Sequence, residues 1–87
     1  MTQPAITIYT TGWCPYCQRA KQLLTTKQLA FSEIDVEADG RLREEMQARS
    51  GRRTVPQIFI GETHVGGCDD LFALDAKGEL DRLISRG

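Results

Sequence analysis

No apolar run in these 87 residues approaches the ~18 that a membrane-spanning helix needs. An excess of charge is missing too: 11 Lys and Arg against 12 Asp and Glu leave a net charge of −1. Without a basic field, nucleic acid is not an expected partner, and neither is a membrane. The start, Met1-Thr2-Gln3-Pro4, lacks the charged and apolar regions of a secretory signal. Cysteine is scarce and odd in number, three in all. That count does not read as a secreted disulfide framework; a reducing, cytoplasmic setting, where a disulfide is transient and catalytic, fits better. Repeats, low-complexity tracts and linkers are also lacking, so residues 1–87 read as one domain. A composition 40% hydrophobic and 26% charged argues against disorder.

What is present alternates between two periods. Residues 5–10 are rich in β-branched side chains and read as a strand. Thr11-Gly12-Trp13 turns into a helix expected from Pro15 to about Gln28, with Cys17, Ala20 and Leu24 on its apolar face. On that helix Gln18, Arg19, Lys21 and Lys27 are expected to face outward. Residues 31–36 form a second strand carrying Phe31, Ile34 and Val36. Asp39 is placed to cap a weakly apolar helix over residues 40–49, which Ser50-Gly51 stops. Pro56 heads a strand whose run Ile58-Phe59-Ile60 suggests burial on both faces. Gly61-Glu62 turns it into residues 63–65, and Gly66-Gly67 ends that strand. A third helix follows with Leu71, Phe72 and Leu74, then a last helical stretch with Leu80, Leu83 and Ile84 after Gly78. The order β-α-β-α-β-β-α predicts an α/β fold: a four-stranded mixed sheet with helices on both faces. Its first two strands should be parallel by the right-handed crossover rule, its last two an antiparallel hairpin.

Three segments carry chemistry. Cys14-Pro15-Tyr16-Cys17 places two thiols where the first strand gives way to a helix. With Pro15 at the first helical position, Cys14 lies at the helix N-terminus, where unpaired N–H groups and the dipole favour an anion over a neutral thiol. Cys14 is then the nucleophile of disulfide exchange and Cys17 the resolving thiol. The competing reading of this spacing is half a zinc site, for which His64 and Cys68 complete a three-Cys, one-His set. A C-x-x-C opening a helix inside a βαβ-like pattern favours redox chemistry over metal. The second segment is Thr54-Val55-Pro56. If its Val55–Pro56 bond is cis, the backbone of Val55 faces the site and can pair with an extended peptide; an ordinary strand-initiating Pro is the alternative. In the third, Gly66-Gly67-Cys68-Asp69-Asp70, the N–H groups that open a helix suit a carboxylate, while Asp69 or Asp70 can hold an ammonium group. The alternative there is a capping Asp with a turn.

Together, and in this order and spacing, the three motifs resemble the glutaredoxin family over nearly the whole chain, most of all the bacterial glutaredoxin 3 type. The resemblance implies a thioredoxin fold and a glutathione-dependent dithiol oxidoreductase, with glutathione as reducing co-substrate and no metal. Disulfide-bearing or glutathionylated proteins are its other expected partners, and a monomer is expected. It implies that Tyr16 flanks bound glutathione, that Thr54 and Val55 pair with its cysteinyl backbone, and that Pro56 is cis. Gly67, Cys68 and Asp69 then take the γ-glutamyl carboxylate and amine, with Asp70 close by. The family's Lys three residues before the nucleophile, which supports the thiolate and contacts the glycyl carboxylate, is Thr11 here. Arg52 is the candidate substitute. Trp13 beside Cys14 is expected to shape access for protein substrates. Two rivals remain: a thioredoxin-like reductant fed by a flavoprotein reductase, which needs no such carboxylate-and-amine site, and a glutathione-ligated [2Fe–2S] carrier, which Pro15 disfavours by family analogy.

Overall fold

The computed structural model describes residues 4–85; the start Met1-Thr2-Gln3, read above for targeting, lies outside the described residues. The elements run β1 (Ile6–Thr10), α1 (Pro15–Thr26), β2 (Ser32–Asp35), α2 (Gly40–Ser50), β3 (Gln57–Ile60), β4 (Thr63–Gly66), α3 (Cys68–Ala76) and α4 (Glu79–Ser85). In the sheet they lie in the order β2-β1-β3-β4. β1 and β2 are parallel, as a helical crossover requires, and β3 is antiparallel to both β1 and β4. The expected strand directions hold.

The central strands carry the core because a strand's side chains alternate between faces. On one face Ile6, Ile8, Ile58 and Ile60 meet Ala20 and Leu24 of α1, Cys68 and Leu71 of α3, and Leu80 of α4. On the other, Tyr9, Val36 and Phe59 meet Met46, the one buried residue of α2. The weak apolarity of α2 is therefore enough: it covers a small second core. The Tyr9 hydroxyl, fully buried, donates to Glu45 Oε2 at 2.6 Å and accepts from Arg49 Nη1 at 2.7 Å, so no polar group is stranded there.

Local signals act where expected. The Asp39 carboxylate accepts from the Arg41 N–H at 2.9 Å at the start of α2, and Gly51 closes α2 with φ +72°. Three expectations shift. Phe31 and Val36 fall just outside β2, although Val36 is buried and its N–H reaches the Thr10 carbonyl at 2.9 Å. Phe72 is exposed, with the Arg19 guanidinium 5.5 Å from its ring centre, because it projects from the outer side of α3 while Leu71 takes the core. Lys21 and Lys27 are not simply solvated. Lys21 pairs with Glu33 at 3.0 Å, and Lys27 bridges Asp75 and Asp81 at 2.7 and 3.0 Å, tying α1 to α3 and α4.

Candidate active site

The site begins where β1 ends. The Gly12 N–H donates to Glu37 Oε1 at 3.2 Å, anchoring the turn that delivers the chain to α1. Cys14 is the N-cap of α1, extended at φ −152° and ψ 110°, and Pro15 takes the first helical position where its missing N–H costs nothing. The Cys14 sulfur does what a Ser or Asp oxygen does at other caps: it accepts the Cys17 N–H, at 3.3 Å. No acidic side chain stands in the first turn of α1, so the sulfur faces the positive end of the helix alone.

Cys17, one turn in, is set apart from Cys14 by its burial. It is 1% exposed. Burial first, then the hydrogen bond with Cys14, pushes its thiol up to about 12, while the Thr11 backbone and the Lys21 charge pull the other way. Lys21 is held in place: Glu33 Oε2 receives both its ammonium, at 3.0 Å, and the buried Thr10 hydroxyl, at 2.7 Å. Glu33 lies below the usual carboxylate range, through the Thr10 hydroxyl first and Lys21 second. Sequence reasoning missed this network, because a Thr, a Glu and a Lys on three different elements carry no joint signal. The arrangement gives one partly exposed cysteine at a helix terminus and one buried, protonated thiol beside it.

A groove of about 220 Å³ opens next to Tyr16. It collects all the other candidate residues. The corner Thr54-Val55-Pro56, with its Val55–Pro56 bond cis, forms one wall; Gly67, Cys68, Asp69 and Asp70 at the start of α3 form the facing wall, and Arg52 lines it as well. Hollows of comparable size elsewhere, such as that lined by Leu74, Glu79, Arg82 and Leu83, hold none of the cysteines.

The α3 wall resolves the two readings of its acidic pair. The cap residue is Gly67, and Asp70 reaches back so that its Oδ2 accepts the Gly67 N–H at 2.9 Å. The same oxygen takes Arg52 Nη1 at 3.1 Å. Both contacts hold Asp70 below the usual carboxylate range, the Gly67 N–H most strongly. Asp70 is thus the capping Asp. Asp69 is exposed and has no side-chain partner among the described residues. The first N–H groups of α3 have no intrahelical acceptor, by helix geometry, and line the groove as donors. Gly66 permits the whole arrangement: its φ is +118°, and a Cβ there would collide with the Asp70 carboxylate.

Cys68 is 4% exposed and packs in the core beneath this turn, where burial pushes its thiol up. The residue borders the groove and is nonetheless buried in the core cluster. The three-Cys, one-His set is not assembled. His64 stacks on Phe59 at 4.9 Å on the α2 side of the sheet, whereas Cys68 packs on the α1 side. Among the described residues, no three His, Cys, Asp or Glu side chains come together as a metal group.

The whole arrangement has close counterparts. The glutaredoxin family model matches residues 6–65. A curated glutaredoxin of Pseudomonas aeruginosa is 58% identical over 82 residues, covering 94% of this chain and 98% of its own length. Glutaredoxin 3 of Escherichia coli strain K12 is 57% identical over 79 residues, covering 91% and 95%. Among solved structures, a buckwheat glutaredoxin–glutathione complex superposes with a TM-score of 0.87 at 26% identity, covering 97% of this chain and 78% of that one. With two thiols at a helix start, a cis-Pro corner in the adjoining groove, and these relatives along almost its full length, the chain belongs to the glutaredoxin family, with its thioredoxin fold and thiol–disulfide oxidoreductase activity.

Proposed function

We propose that the protein uses reduced glutathione to reduce glutathione mixed disulfides and protein disulfides. The observation that carries this reading is the division of labour between the sulfurs: Cys14 caps α1 beside a groove built to grip a small peptide, and Cys17 waits buried and protonated.

The thiolate of Cys14 attacks the glutathione sulfur of a mixed disulfide. A Cys14–glutathione disulfide forms and the substrate's sulfur leaves as a thiolate that takes up a proton. Two routes regenerate the enzyme. In one, a second glutathione thiolate attacks the bound glutathione sulfur, yielding oxidised glutathione and free Cys14. In the other, Cys17 loses its proton and displaces glutathione from Cys14, leaving a Cys14–Cys17 disulfide that two further glutathiones reduce. Protein disulfides enter through the second form of chemistry, with Cys17 resolving the protein mixed disulfide. Couples of this kind sit at roughly −200 to −230 mV, close to the glutathione pool, so glutathione can recharge them.

The groove supports glutathione by complementarity. The Val55 backbone is placed to pair with an extended cysteinyl segment. The free N–H groups of α3 suit the γ-glutamyl carboxylate and Asp69 suits its ammonium group. Arg52 keeps further N–H donors beyond the one spent on Asp70, and these reach toward a glycyl carboxylate. A monomer is the proposed working unit, in a reducing cytoplasm where such a disulfide is transient and catalytic. A coupled assay with glutathione, glutathione reductase and a small glutathione mixed disulfide tests the reading: turnover that saturates with the mixed disulfide is expected. Turnover of protein disulfides only with a flavoprotein reductase, and none with glutathione, would replace it with the thioredoxin-like reading.

A further inference from the structure

We infer that Gln57 and His64 are positioning residues for the groove: they fasten the Thr54 carbonyl, and so set the corner on which the ligand's backbone is held. This rests on the glutathione reading above and extends it to a pair standing behind the groove wall.

Gln57 opens β3 and is fully buried, in a strand whose other members are Ile58, Phe59 and Ile60. A buried primary amide is costly unless both its ends are bonded. Here both are. Its Nε2 donates to the Thr54 carbonyl at 3.0 Å and lies 3.2 Å from Thr54 Oγ1; its Oε1 is 2.7 Å from His64 Nε2. These contacts fix the proton positions. A carbonyl oxygen only accepts, so the Gln57 nitrogen must face Thr54 and the Gln57 oxygen must face His64. An amide oxygen also only accepts, so His64 Nε2 carries the hydrogen.

The imidazole is itself immobilised. The pairing of β3 with β4 sets His64 opposite Phe59, and the two rings lie 4.9 Å apart, tilted by 30°. Burial first, then the Arg52 charge, holds His64 below its usual range, so near neutral pH it is uncharged and adds no cation beside the Arg52–Asp70 pair. A continuous run of hydrogen bonds therefore leads from β4 through a buried amide to Thr54. β4 ends at Gly66, and the next residue, Gly67, lines the groove. The Gln57–His64 pair thus braces one wall against the other, and holds the Val55 backbone ready before a ligand arrives. Such preorganisation acts on binding rather than on the sulfur chemistry.

His64→Phe keeps a ring on Phe59 but removes the N–H, leaving the Gln57 oxygen unbonded; His64→Gln restores a donor. KM for a small glutathione mixed disulfide should rise roughly three- to tenfold in His64→Phe, as expected for the loss of one buried hydrogen bond. Its kcat should stay within about twofold, and His64→Gln should recover most of the KM. Unchanged KM in a folded, active His64→Phe, or a fall in kcat alone, overturns the inference. A parent protein inactive on glutathione mixed disulfides would instead overturn the glutathione reading. The nitrogen-15 shifts of His64 in the parent need no variant: a protonated Nε2 and a bare Nδ1 are expected, and a bare Nε2 overturns the relay.

Discussion

Two helices in this molecule start with a cysteine within one residue of the cap, at the end of a strand, and only one of them is built for nucleophilic chemistry. At α1 the cap acceptor is the sulfur itself, and the first turn holds no acid. At α3 the cap is filled by the Asp70 carboxylate, the first turn holds two acids, and Cys68 is turned into the core. The dipole is the same at both ends. What differs is which group is offered to it. Burial pushes the Cys68 thiol up, and the Asp69 charge beside it works in the same direction. A cysteine near a helix start becomes a nucleophile when its sulfur is the cap; buried one residue beyond the cap, it remains a packing residue whose backbone can still bind an anion.

The largest effects should come from the α1 end. Cys14→Ser should reduce all turnover to background, because a serine hydroxyl at neutral pH is no nucleophile for sulfur. Cys17→Ser should keep glutathione mixed-disulfide turnover within about twofold, since that route needs only Cys14, and should lose most protein-disulfide reduction. Assaying both substrates with both variants checks this; a Cys17→Ser protein as dead as Cys14→Ser on the mixed disulfide would remove the monothiol route.

At the α3 end the predicted losses are of stability and binding. Gly66→Ala forces a side chain into a positive-φ position and against the Asp70 carboxylate, so unfolding free energy should fall by about 2–3 kcal/mol, with a raised KM for the mixed disulfide. Urea unfolding and steady-state kinetics read the two effects. Asp70→Asn should cost less, about 0.5–1 kcal/mol, because the group is half exposed. The sign with pH follows from a folded carboxyl held below its unfolded value of ~3.9. The contribution of Asp70 is present above that value and is lost as pH falls through the folded value. Unfolding curves from pH 6 down to 2 should therefore converge for parent and Asp70→Asn at the acid end.

Smaller effects should separate the branches. Lys21→Met removes the cation that favours ionised Cys17, so protein-disulfide reduction should slow by about two- to fivefold, a size set by solvent screening of a part-exposed charge. Mixed-disulfide turnover should not change. Equal slowing of both reactions would place Lys21 outside the resolving step. The smallest effect belongs to Cys68→Ser, which should retain most turnover because only the backbone N–H of that residue is asked to bind and its sulfur is buried.

What the sequence makes legible divides along the same line. Caps, stops and the C-x-x-C turn are local, so Cys14-Pro15, Asp39 and Gly51 are readable from neighbours alone. The groove residues emerge because three short motifs, though far apart in the chain, line one hollow in the fold, with Arg52 among them. Contacts across the sheet are not readable in this way. Gln57 with His64, Thr10 and Lys21 with Glu33, and Tyr9 with Glu45 and Arg49 join residues whose proximity depends on strand register. Gln57 did leave a trace, as the polar start of an otherwise apolar strand. Phe72 shows the opposite failure: helical spacing marks it as apolar without saying which of two adjacent apolar residues, it or Leu71, faces the core.

The contrast between the two helix starts is tested most directly by alkylating the fully reduced native protein with iodoacetamide at pH 7 and following each cysteine by peptide mass spectrometry. Cys14 should be modified first and alone, with Cys17 and Cys68 reacting only after denaturation. Native Cys68 alkylated as fast as Cys14 would contradict the account, for the acidic first turn and the buried sulfur would then make no difference.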